Sequence, residues 1–352
     1  MIVYIGVFFL LVTLGLVDVF FDKKKIVFAS GSVLGLMAGL RYYTGYDFTS
    51  YQEYFFKANS FRQLFDGSIR LEPGYLFFVV LFRSLGFNYY SFVLIFSLIT
   101  LAGLTYFLYK YVRYPSLAIL YYYARYFLAR DMGQVRASLV AVILLFAIPY
   151  VLKRQPLKFL GIIVIGAMFH YSALLFIPVY ILNMIIQELT LKKTLLLGFS
   201  ALFMGIVIQN PSLFIDFVPE GYRNYFTSPS HTSGHWLMYP ILWMQCLIFG
   251  GVLFFNQYNQ SMDKKWYNLI ATIYLLAILA LVAMGRLETV GGRISTLFAT
   301  VEILLVPFIF NKLSRYHLFN IIAFIGFTFI VFILIFILSG MYRQYIPYDT
   351  IF

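Results

Sequence analysis

The chain has one cysteine, four histidines and fourteen acidic residues in 352 positions. A lone cysteine excludes an internal disulfide framework, and the apolar stretch around Cys246, LWMQCLIF, marks a packed thiol rather than a nucleophile. His231 and His235 lie close in sequence but have no third ligand nearby, which argues against a zinc site. No P-loop, GxGxxG or HExxH occurs, so the usual nucleotide and zinc-hydrolase signatures are absent. Charged residues make up only 11%, too few for a soluble domain. The net charge of +12 suggests nucleic acid until the charges are placed along the chain, where they follow topology instead.

What is abundant is apolar. Hydrophobic residues make up 62% of the chain and the mean hydropathy is +0.86, the composition of an integral membrane protein. Twelve apolar runs can be read: Ile2–Phe21, Ile26–Leu40, Asn88–Tyr109, Ser116–Ala129, Val135–Val151, Leu157–His170, Ser172–Gln187, Thr194–Gln209, Tyr239–Asn256, Trp266–Met284, Ile294–Phe310 and Leu318–Gly340. The expected fold is all-α: a polytopic membrane protein of about twelve transmembrane helices, GT-C-like, as a single transmembrane domain over residues 1–352. Several runs fall short of the roughly 20 residues a span needs. Either the helices extend beyond them or their ends are set back around a wet cavity. Tyr75–Leu85 is shorter still and carries Arg83, so an interfacial or re-entrant helix is expected there. The first run lacks a basic n-region and a small-residue cleavage site, which favours a retained helix. Gly31, Gly35 and Gly39 form a small-residue stripe suited to close helix packing.

Two stretches stand out as loops, 41–87 and 210–238. The first opens with RYYTGYDFTSYQEYFFKANSFRQLFDGSIRLEPG, Arg41 to Gly74, which holds eight of the forty Lys, Arg, Asp and Glu residues in 34 positions, with aromatics threaded between them. Such a mixture suits a carbohydrate surface or a lipid interface. Alternate short loops elsewhere carry fourteen basic residues against Asp22, Glu188 and Asp263. By the positive-inside rule they face the cytoplasm, which puts both long loops outside.

The kind of base differs between the two sides. Eleven of the fourteen cytoplasmic bases are Lys, whereas eleven of the other twelve are Arg. Topology needs only positive charge. Arginine's planar fork binds phosphate bidentately, so the bias points to anion recognition outside, against the plainer reading of snorkelling and ion pairing. Arg125, Arg130 and Arg136, with Asp131 and Gln134, sit at one helix junction, and Arg286, Glu288 and Arg293 cluster ahead of Glu302. Ionisable groups at membrane depth cost roughly 3 kcal/mol each and usually line a cavity. His170 and Ser172, in FHYS, mark another outer helix end; two residues apart, they do not face each other on a helix. A satisfied interfacial histidine competes there with a functional base.

In order, RYYTGYDFTSY, LEPGY, RDMGQVRASLV, MFHYSALLFIPV and GGRIS resemble the EpsG-like branch of Wzy-type polysaccharide polymerases over about Arg41 to Ser295. The resemblance implies a membrane glycosyltransferase that polymerises undecaprenyl-diphosphate-linked repeat units at the outer face of the bacterial cytoplasmic membrane, without a metal or other cofactor. The growing glycan would pass from its lipid carrier to the sugar of an incoming unit. Asp47 is the first candidate base, after the Gly45 turn and near Arg41; Glu72 and His170 stand behind it. Arg130, Arg136 and Arg293 are expected on the diphosphate, with Gln134 beside them and Arg41 either joining them or orienting Asp47. Gly133-Gln134-Val135-Arg136-Ala137 departs from the family's R-Q element, leaving Arg130 and Arg136 both open for its arginine. Aromatics such as Tyr51 would serve as sugar platforms. Donor and acceptor lipid-linked glycans, membrane lipid, a chain-length regulator and a flippase are the implied partners; nucleic acid is not. The alternatives are a glycosyltransferase using a polyprenyl-phosphate sugar, a transporter or flippase for lipid-linked oligosaccharides, and a purely structural membrane partner.

Overall fold

Lipid offers no partner to a bare peptide group, so a chain this apolar must satisfy its backbone within helices. The computed structural model of the chain describes residues 1–186, 188–218, 220–228, 236–257, 263–285 and 287–351. All twelve apolar runs are helical as far as they are described. Six helices are long and apolar enough to cross a membrane: Ile2–Phe21, Tyr89–Tyr111, Val135–Leu152, Leu191–Gln209, Lys264–Met284 and His317–Leu338. A seventh span results if Val290–Ala299 and Glu302–Asn311, bent by 51° at their junction, count as one. Of the expected dozen, six runs are thus helices long enough to span, one is a bent pair, and the rest are shorter apolar helices among the described residues. His231, His235 and Arg286 lie outside the described residues, as does part of the 210–238 loop.

In chain order the helices are α1 Ile2–Phe21, α2 Val27–Gly39, α3 Phe48–Lys57, α4 Pro73–Ser84, α5 Tyr89–Tyr111 and α6 Pro115–Tyr122. α6 runs on through a π turn, Tyr123–Phe127, to Arg130. Then come α7 Val135–Leu152, α8 Pro156–Phe169, α9 Ile177–Ile185, α10 Leu191–Ile208, a short helix Glu220–Thr227, α11 Pro240–Gln257, α12 Asp263–Met284, α13 Glu288–Ala299, α14 Glu302–Asn311 and α15 His317–Phe332. They fall into two compact units: residues 1–147, 157–174 and 310–352, and residues 148–156 and 175–309.

Within the first unit the glycine stripe of α2 lies on α5. A Cβ at Gly39 would meet the Leu94 Cα at 2.6 Å, so only glycine admits this approach. The expected close packing is there, and it fixes the point from which the 41–74 stretch departs. That stretch is ordered by an aromatic core in which Phe48, Tyr51 and Phe55 of α3 pack with Tyr75 of α4 and Tyr89 and Phe92 of α5. Arg83, an apparent burden in a short apolar helix, has a structural partner: its Nη1 reaches the carbonyls of Phe55, Phe56 and Ala58 at 3.1, 2.7 and 2.7 Å. It thereby caps the C-terminal end of α3 with positive charge, where the helix dipole favours it.

The chain's far end closes on its beginning. Arg41 and Tyr42 pair antiparallel with Thr350 and Asp349. Tyr345, fully buried, donates through its hydroxyl to the Leu128 carbonyl at 2.6 Å, and its own carbonyl accepts from Tyr4 at 2.6 Å. The second unit holds an apolar cavity of about 420 Å³, lined from α10, α11 and α12 by Phe199, Leu242, Trp243, Cys246 and Leu275 among others.

Candidate functional site

Glu72 precedes Pro73, which disfavours helical geometry before it and is itself suited to a first helical position. Glu72 is accordingly extended (φ −64°, ψ 140°) at the N-cap of α4. The following glycine has a separate task. A Cβ at Gly74 would lie 2.8 Å from the Met168 carbonyl oxygen, so glycine lets α4 begin directly against the end of α8. His170 follows that end. The E-P-G and F-H-Y-S segments meet for this reason, and His170 Nδ1 stands 3.7 Å from Glu72 Oε1.

Arg136, second residue of α7, completes the cluster. Its Nη1 donates to Glu72 Oε2 in an ion pair, and its Nε donates to the Tyr51 hydroxyl at 3.4 Å. The guanidinium also lies 5.5 and 5.6 Å from the ring centres of Tyr51 and Tyr75, where the ring faces attract a cation. Four of the segments singled out in the sequence thus contribute to one place, all within the first unit. Side-chain exposure orders them in depth: Glu72 8%, Arg136 20%, His170 32%. The carboxylate lies beneath, and two nitrogen groups form the accessible face. Burial raises the Tyr51 hydroxyl above its ordinary value and Arg136 offsets this only in part, so the hydroxyl stays neutral. The Ser172 N–H donates to His170 Nδ1 at 3.2 Å, which in the neutral ring leaves the proton on Nε2.

Asp47 is the N-cap of α3, half-buried, one turn before Tyr51; its side chain caps no N–H. Gly45 before it has φ +102°, donates its N–H to the Gln344 carbonyl at 3.1 Å, and would bring a Cβ within 2.0 Å of the Met132 oxygen. Only glycine fits that turn. Arg41 does not pair with Asp47. It is 1% exposed, donates from Nη1 to the Ala38 carbonyl and lies 5.8 Å over the Phe48 ring. Burial lowers its pKa from the ordinary arginine value.

Arg130 is buried with its guanidinium 4.3 Å from the Tyr126 ring centre, and Arg125 lies 4.9 Å from the same ring. Of the two candidates for the R-Q arginine, Arg136 is the one that meets Glu72. Gln134 is half-buried in the turn between α6 and α7 and makes no side-chain hydrogen bond among the described residues. Arg293 is exposed on α13 in the second unit, and the Glu288 side chain lies outside what is described.

Asp131 escaped the sequence reading as anything but a neighbour of Arg130. It is buried, accepting from Tyr122 at 2.6 Å and from Ser138 at 2.7 Å, and so joins the end of α6 to the first turns of α7 beside Arg136. Burial pushes its carboxyl up to about 6 against the lowering effect of both hydroxyls. Its place in a helix junction was the available signal. Tyr345, which lies against Gly45 and Gly133, had none. Among the described residues no three His, Cys, Asp or Glu side chains gather as a metal site requires.

The EpsG family matches residues 24–350. The chain belongs to the EpsG family. It is a Wzy-like polysaccharide polymerase family, and the match runs from before the glycine stripe to the strand that pairs with Arg41. The matched range of this EpsG chain includes the C-terminal segment that carries Tyr345. No curated protein and no solved structure matches the chain.

Proposed function

We propose that this EpsG chain polymerises undecaprenyl-diphosphate-linked oligosaccharide units at the outer face of the bacterial cytoplasmic membrane, through about twelve membrane-embedded helices in a GT-C-like arrangement. The observation that carries the reading is the Glu72–Arg136–His170 cluster on its tyrosine floor, with the nitrogen groups more exposed than the carboxylate. A lipid diphosphate leaving group carries negative charge, and fixed donors at its departure point lower the barrier.

In this scheme the acceptor hydroxyl oxygen attacks the anomeric carbon of the donor glycan. The bond from that carbon to the diphosphate oxygen breaks, and the lipid diphosphate leaves with the electron pair. Arg136 holds the developing charge, supported by Glu72 and Tyr51, while His170 donates from Nε2 to a phosphate oxygen. Asp47 takes the acceptor proton: its carboxylate is half-exposed and free of capping duty, whereas that of Glu72 is engaged by Arg136. Arg130 and Gln134 are the further candidates for diphosphate and sugar binding in the first unit, Arg293 is a separate candidate in the second, and Arg41 supports the floor from beneath. The chemistry needs no metal. A flippase would deliver the lipid-linked units before this step, and a chain-length regulator would limit its repetition.

The test is reconstitution of the purified protein with a lipid diphosphate-linked oligosaccharide, with and without EDTA. A ladder spaced by whole repeat units, unchanged by EDTA, is expected. Addition of one sugar would point to a monosaccharide transferase, and lipid movement across the bilayer without product to a flippase.

A further inference from the structure

Arg41 is the most deeply buried arginine near the cluster, yet its protein partners are few. Nη1 meets the Ala38 carbonyl, one face lies over Phe48, and Nε has no acceptor among the described residues. A buried, charged donor left unmade is costly. Beside it is a cavity of about 10 Å³, lined by Arg41, Tyr51, Tyr75, Tyr89 and Ser97 together with apolar groups. That volume suits one water molecule and excludes phosphate or a sugar.

We propose that this cavity binds a single structural water, held by Arg41 Nε, Tyr75 and Ser97, and that through it Arg41 acts as a positioning residue for the tyrosine floor beneath Arg136. The polar complement fits. Tyr75 and Ser97 are buried and make no side-chain hydrogen bond among the described residues, so each has a hydroxyl to offer. Tyr89 donates to the Phe48 carbonyl at 3.1 Å, and Tyr51 already accepts from Arg136. A buried water commonly makes about three hydrogen bonds, the number that Arg41, Tyr75 and Ser97 supply. Its effect passes through the rings, since Tyr51 and Tyr75 carry the Arg136 guanidinium on their faces. Arg41 then touches no substrate, and its charge is spent on holding the two rings that orient Arg136.

The water itself stands on this geometry; its consequence for catalysis rests on the polymerase reading. A high-resolution cryo-EM map of the full chain in lipid nanodiscs should show density within hydrogen-bond range of Arg41 Nε, Tyr75 Oη and Ser97 Oγ. In Ser97→Val the added methyl should fill the cavity and remove that density, whereas Ser97→Ala should keep it. Ordered side chains without density, or a protein acceptor on Nε, would overturn the water. With a lipid diphosphate-linked oligosaccharide as substrate, Ser97→Val should lower kcat about tenfold with KM little changed, and Ser97→Ala should stay within about threefold of the parent. Equal loss in both variants, or none in Ser97→Val, would overturn the positioning role. If the parent itself makes no polymer, the polymerase reading falls, and the density still decides the water.

Discussion

Arg136 donates to the Glu72 carboxylate across 64 residues of chain, and the pair ties the start of α4 to the start of α7. Both ends are helix N-termini. The ion pair, with Tyr51 and His170 around it, fixes them relative to each other.

Replacing Arg136 with Gln keeps a hydrogen-bond donor but removes the charge. Chain extension should fall by about 100-fold, the usual scale for losing one transition-state donor. Product formation per time from the purified variant checks this. Glu72→Gln should instead lower stability, by about 1–3 kcal/mol, because it removes the negative charge opposite a largely buried guanidinium whose remaining exposure softens the loss. A thermal melt in detergent reads it.

Asp47→Asn should abolish chain extension while leaving binding of the lipid-linked substrate close to normal, since the half-exposed carboxylate supports no neighbouring backbone. Retained polymerisation would remove Asp47 from the role of base.

Asp131 gives a pH dependence of definite sign. Its carboxyl is raised to about 6 in the folded chain, above the ordinary value of 3.8, so the folded state holds the proton more tightly than the unfolded one. Stability should therefore increase as pH falls from about 6 towards 4, and the ionised form should be the less stable one above that window. Asp131→Asn should flatten this dependence when melting temperatures at pH 7 and pH 5 are compared with the parent.

The strap at the C-terminal end should matter as much as the loop it covers. Tyr345→Ala empties a fully buried ring site and should cost about 3–5 kcal/mol, while Tyr345→Phe, which loses only the bond to Leu128, should cost about 1 kcal/mol. Gly45→Ala should destabilise the same region, since no shift of a flexible side chain can relieve contact with the Met132 carbonyl. Chemical unfolding of the three variants ranks them.

Local signals in the chain were enough for the membrane class, the positions of the apolar helices and the segments that matter, because hydropathy, helix-breaking prolines and charged residues at helix ends act locally; the helix Phe48–Lys57, inside a stretch read as a loop, was not among them. Glu72 before Pro73, His170 at the end of α8 and Arg136 at the start of α7 were all legible in that way. Which of them meet depends on packing. Arg41 and Arg136 look alike in sequence, yet one lies sealed under Phe48 and the other reaches Glu72. Asp131 became visible as the joint between α6 and α7 once Ser138 and Tyr122 were placed, and Tyr345 once the far end of the chain returned to Arg41. Periodicity and composition report the environment of a residue; the partner across 64 or 217 residues is chosen by helix packing, which glycines such as Gly39 and Gly74 set at contact distance.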